Sequence, residues 1–137
     1  MSIDVWETLR QALIASPEIA EMVSDRVYLF QAPKNTQNDY IVFFEVTGNI
    51  PSRAIPCDTN IVRCRMQFSC YSQSPVRAKT ICDRVARTLN RRQDLPPVED
   101  VLLEQSSMLY DDDAELYQCS VDFEVIFDSR VARYGKN

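Results

Sequence analysis

Three groups of side chains in this sequence have the types and spacing to do chemistry. Asp111, Asp112, Asp113 and Glu115 put four carboxylates within five residues, a density that suits a hard cation such as calcium. The run lacks the glycine and the distal glutamate of an EF-hand loop, so a solvated hairpin tip is the simpler reading. Five cysteines, Cys57, Cys64, Cys70, Cys82 and Cys119, are odd in number and contain no CxxC pair. That argues against both a secreted disulfide framework and a zinc ribbon. Four fall where a core is expected and behave as small hydrophobes; Cys57 falls in a loop. The third group is basic: at about 100° per residue, Arg77, Arg84 and Arg91 share one helical stripe, with Arg87 beside them. Such a stripe can follow phosphates, sit in solvent, or meet an acidic surface.

Much else is excluded. The chain has no histidine, and its two glycines, Gly48 and Gly135, lie far apart. Histidine triads, His–Cys zinc sites and glycine-rich phosphate cradles are therefore ruled out. Ser69, Cys70 and Cys119 fall in strand patterns with no catalytic elbow around them. The expectation is a protein that is not an enzyme, with no cofactor and no metal.

The charge layout is uneven. A formal net charge of −5 is the remainder of four blocks. Residues 1–52 carry −4, residues 53–92 carry +7, residues 93–128 carry −11 without a single lysine or arginine, and residues 129–137 carry +3. Arginine outnumbers lysine twelve to three, and arginine is the base enriched at protein interfaces. Ion pairs between exposed groups of one monomer are worth at most about 1 kcal/mol. Between identical subunits the same pairs set orientation and register, and head-to-tail contacts close into rings. The preferred reading places Arg77, Arg84, Arg87 and Arg91 of one subunit against Asp111, Asp112, Asp113 and Glu115 of the next.

The elements that must position these groups can be read from periodicity. A helix capped by Ser2 runs to about Ala15, with Ile3, Trp6, Leu9 and Leu13 on its apolar stripe. Ser16–Pro17 starts a second, short helical turn that ends near Ser24–Asp25. Strands follow at Arg26–Phe30 and Tyr40–Thr47, separated by a polar loop. Gly48–Thr59, holding Pro51 and Pro56, reads as irregular, and the Gly48–Asn60 loop is expected to order only on assembly. Val62–Cys70 alternates, sending Arg63, Arg65, Gln67 and Ser69 outward. Ser74–Pro75 opens the best helix, to about Asn90, which buries Ala78, Ile81, Cys82, Val85 and Leu89. Val98–Leu109 is a strand, Tyr110–Glu115 an acidic turn, and the last strand alternates to Phe127 with Asp122 and Glu124 outward. Residues from Ser129 read as a frayed tail.

This is one α+β domain of two layers: two main helices packed on one face of a largely antiparallel sheet of about five strands, in the order α–β–β–β–α–β–β. Arg63, Arg65, Asp122 and Glu124 fall on the opposite, exposed sheet face. The longest apolar run, Tyr40 to Phe44, is far shorter than the roughly 20 residues of a membrane helix. The N-terminus has no signal-peptide pattern.

Four segments in order carry a family resemblance: Asp25–Arg26–Val27–Tyr28, Tyr40–Ile41–Val42–Phe43, Arg65–Met66–Gln67–Phe68–Ser69–Cys70–Tyr71–Ser72 and Leu116–Tyr117–Gln118–Cys119–Ser120–Val121–Asp122–Phe123–Glu124–Val125. Their order and spacing resemble the phage tail-completion or tail-terminator proteins over nearly the whole chain. Ser24, Leu29 and Asp39 depart from that pattern at two turns, where a glycine and two prolines are expected. The resemblance implies a structural virion protein at the head-proximal end of the tail, assembled in the host cytoplasm. It further implies a hexameric ring contacting the tail tube and the head connector, with DNA passing through the lumen. If the polar sheet face lines that lumen, Asp122 and Glu124 repel the phosphates and let DNA slide. A nucleic-acid-binding module using the arginine stripe, or a monomeric assembly adaptor, is the alternative.

Overall fold

A computed structural model describes residues 3–36, 38–46, 53–54 and 61–128 of the chain. The apolar spacing of the first segment winds Ile3–Ala15 into α1, whose Val5, Leu9 and Leu13 are fully buried. The buried stripe is thus rotated slightly from the expected one. Trp6 lies on its flank with its ring edge-on to Phe30, centroids 5.6 Å apart. Ser2 and the Ile3 side chain lie outside the described residues. α2, Pro17–Val23, begins with proline as expected, but the Ser16 side chain does not cap it. Its hydroxyl points instead at Thr88 Oγ1, 3.4 Å away.

The long helix α3, Pro75–Leu89, is capped as the sequence reads: Ser74 Oγ accepts from the Arg77 amide at 3.3 Å. All five expected apolar residues on it are buried. Ser74→Ala should therefore cost about 1 kcal/mol, measurable as a lower urea midpoint with unchanged slope, while Ser16→Ala should cost clearly less.

The strands are β1 (Val27–Leu29), β2 (Tyr40–Glu45), β3 (Arg53–Ala54), β4 (Ile61–Ser72), β5 (Val98–Asp111) and β6 (Leu116–Asp128). The sheet order is β1-β2-β4-β6-β5, with β3 beside β4. β1 and β2 pair in parallel; the other pairings are antiparallel. The two-residue β3 corrects the expectation that Gly48–Thr59 holds no regular structure. Arg53 and Ala54 lie between the two prolines of that segment, which leaves room for a brief pairing with Arg63 and Val62. The rest of the segment, Cys57 included, and the tail from Ser129 lie outside the described residues.

All three helices cover one sheet face, and one core joins them. Ile41 and Phe43 of β2, Met66, Phe68 and Cys70 of β4, and Val121, Phe123, Val125 and Phe127 of β6 meet α1–α3 there. Cys64, Cys70, Cys82 and Cys119 are all buried free thiols, as their periodicity implies.

Candidate assembly surface

α3 presents its arginines where the sequence places them, and each finds a carboxylate within its own chain. Arg77 Nε bonds Asp39 Oδ2 at 2.6 Å, Arg87 bonds Glu18, and Arg91 reaches Asp100 at 3.1 Å. Arg84 bonds Glu21 and also donates to the Glu18 carbonyl at 2.9 Å. Arg84 thereby ties α2 to α3. Its side chain is only 23% exposed, against 61% for Arg87 and 60% for Arg91. The Arg87 hydrogen bond holds the Glu18 carboxyl below its usual pKa. These are surface pairs, each contributing about 0–1 kcal/mol.

The opposite sheet face is polar, and β4 and β6 are neighbours along it. Arg65 is in register with Glu124, and Gln67 with Asp122. Arg63 approaches Glu124 at 3.8 Å, while Arg65 turns to Glu104 of β5 at 3.1 Å. Asp122 corrects the expectation of an exposed acid: it is buried, accepting from Gln105 Nε2 at 2.9 Å. Ser69 and Ser120 are buried too, because the Gln118 amide lies over both, donating to each hydroxyl at 3.0 Å. Long glutamine arms on adjacent strands roof the small residues beside them. The alternation of single strands carries no sign of that coverage.

At the far end of the sheet the β5–β6 hairpin closes on Asp111–Glu115. Asp111 Oδ1 accepts from the Asp113 and Ala114 amides at 3.0 and 3.1 Å, an Asx turn. Asp112, Asp113 and Glu115 stand exposed. Burial, and then the negative charge of Asp111, push the Tyr71 phenol up to about 12. Among the described residues no group of three or more metal-binding side chains gathers.

A surface that sequence reasoning missed runs along β5. Val98 and Val101 are buried, but residues 103–110 are all exposed, including Leu103, Met108, Leu109 and Tyr110. Register shifts between Val98/Asp100 and Leu103/Gln105 break the strand's alternation, so period-two counting could not separate its buried half from its exposed half. The run Met108–Leu109–Tyr110, apolar on both faces of one strand, was the available signal.

The geometry offers charged and apolar surfaces for assembly. Comparison with known proteins agrees with this. A search of curated proteins finds no match. Fourteen chains of solved structures match. One, from the virion of a native gene transfer agent particle, superposes with a TM-score of 0.73 at 14% identity, covering 93% of this chain and 96% of that one. At that identity the likeness speaks for the fold. The family model described as tail completion protein gp17 matches residues 7–128, and the chain belongs to that family of structural phage tail proteins.

Proposed function

We propose that this chain, a structural component of tail assembly, closes the head-proximal end of a tail tube as a hexameric ring and joins it to the head connector. The observation that carries the ring is the polarity of the fold. The acidic tip lies at one end of the β5–β6 hairpin. The C-terminal end of α3, with Arg87 and Arg91, lies toward the other, where the Arg91 amide bonds the Val101 carbonyl. Exposed acids at one end and exposed arginines toward the other are complementary for head-to-tail contacts, and such contacts close into rings. Asp111, Asp112, Asp113 and Glu115 of one subunit then meet Arg87 and Arg91 of the next. The exposed pair of Arg87 with Glu18, and that of the exposed Arg91 with the part-buried Asp100, are surface pairs weak enough to exchange for these partners. Arg77 and Arg84 serve chiefly within the subunit.

The polar sheet face is the surface assigned to the lumen. Arg63 and Arg65 stand beside Glu124 and Glu104, so no unbalanced row of bases grips the phosphates as DNA passes. The same balance weighs against a nucleic-acid-binding module, since the arginines of α3 also stand beside carboxylates. That a chain of this fold occurs in a gene transfer agent virion supports a place in the virion tail.

The test adds purified protein to growing tail tubes and images them by electron microscopy. Rings at one tube end and arrested elongation are expected; tubes that elongate unchanged and uncapped would defeat the reading. Arg87→Glu with Arg91→Glu should weaken ring formation several-fold by light scattering, roughly what two surface pairs are worth. A ring of unchanged affinity removes those two arginines from the interface.

A further inference from the structure

The second half of β5, Gln105-Ser106-Ser107-Met108-Leu109-Tyr110, carries no charge. It pairs with β6 on one side, and on the other no strand lies beside it among the described residues. Proteins ordinarily blunt a bare sheet edge with charge, proline or bulges. β5 does so in its first half, where Glu99, Asp100, Glu104 and two register shifts interrupt it. The second half has none of these devices, and Met108, Leu109 and Tyr110 are 41, 52 and 48% exposed. The acidic tip follows at once, and among the described residues Asp112, Asp113 and Glu115 form no ion pair. A fitting occupant is an extended segment with apolar side chains and positive charge.

Residues 129–137, Ser-Arg-Val-Ala-Arg-Tyr-Gly-Lys-Asn, have that composition, with Arg130, Arg133 and Lys136 around Val131 and Tyr134. They follow β6, which runs away from the acidic tip. At about 3.3 Å per residue the tip lies about 40 Å back from Asp128 along that strand. Fully extended, the chain from Asp128 to Lys136 spans at most about 29 Å, and it must first reverse direction. A subunit's own basic segment therefore falls short of its own tip. A neighbour's segment, arriving from the opposite end of the next subunit, has no such limit.

We propose that residues 129–137 of one copy add as a strand to the Gln105–Tyr110 edge of the adjacent copy, with Arg133 and Lys136 at its far end against the acidic tip. This contact deepens the ring reading above and rests on it. Backbone pairing supplies affinity, as in other strand additions. The charges fix which end of the edge receives the segment.

The experiment uses the full-length chain under ring-forming conditions, with hydrogen exchange of the Gln105–Tyr110 amides and sedimentation as readouts. The tail reversal Arg133→Glu, Lys136→Glu should speed exchange there and weaken association about tenfold, the scale of two surface pairs. The hairpin reversal Asp112→Lys, Asp113→Lys, Glu115→Lys should do the same, and the two combined should restore both readouts. Rings that persist with those amides exchanging equally fast in the wild-type and tail-reversed proteins overturn this contact alone. So does failure of the combined variant to recover. A wild-type chain that forms no ring in solution or on tubes overturns the contact and the ring reading together.

Discussion

Phe68→Ala is expected to lower stability by about 3–5 kcal/mol, the range for emptying a buried aromatic site. Phe68 is fully buried on β4, the middle strand of the sheet. Its ring stacks on Phe43 of β2 at 5.2 Å and meets Phe123 of β6 edge-on at 5.7 Å. Truncation therefore opens a cavity shared by three strands and removes two aromatic pairs, each worth about 0.5–1.5 kcal/mol beyond area burial. Because strands on both sides are pinned by backbone pairing, they cannot collapse into the void. A domain of this size has roughly 5–15 kcal/mol in total, so the variant should stand near its unfolding threshold at 25 °C. Met66→Leu, one alternation back on the same face, should cost under about 1.5 kcal/mol because it conserves volume. Urea denaturation of the two variants measures the contrast. A loss below 1 kcal/mol for Phe68→Ala would show that the aromatic column does not carry the sheet.

That column was legible in the sequence because alternation places Phe68 and Phe123 on inward faces without knowledge of their neighbours. The same holds for α3, where cap, proline and apolar spacing agree. What alternation could not give was the neighbour of each strand. The alternation of its own strand puts Asp122 opposite the core, as if exposed; Gln105, which covers it, belongs to another strand. Ser16 before Pro17 has the local pattern of a cap, while its hydroxyl faces Thr88, 72 residues away in sequence. β3 was missed because two residues are too few for a period to appear. The pairing of the α3 arginines with Glu18, Glu21, Asp39 and Asp100 depends on how α2, β2 and β5 pack beside α3. The bare half of β5 had no legible period at all, and this stretch is also the best docking edge the fold presents.

Stability should also fall as the pH rises above about 9, because the core is rich in thiols. Burial, with the nearby charge of Glu45, pushes the Cys64 thiol from an ordinary value of 9.0 up to about 12. Cys82 stands between two thiols: its hydrogen bond with Cys119 lowers its pKa, while that with Cys70 and burial raise it, to a net value of about 12. Cys119 is pushed upward by its hydrogen bond with Cys82 and by burial. Above pH 9 the unfolded chain releases these protons while the folded chain holds them, so the unfolded state falls in free energy relative to the native one. The stabilisation is complete below pH 9 and drains away as the pH climbs toward 12. One pKa unit is worth about 1.4 kcal/mol; allowing for partial solvent screening, each thiol withdraws roughly 1 kcal/mol per pH unit. The Cys82–Cys119 pair acts in the same direction as Cys64, so the losses accumulate against a typical margin of roughly 5–15 kcal/mol. Urea midpoints at pH 7, 9 and 10 should show a plateau followed by a decline, and Cys64→Val should make that decline shallower. A midpoint constant through pH 10.5 would mean the thiols reach solvent in the native state, and the helix layer over β4 and β6 would have to open far more readily than its packing implies.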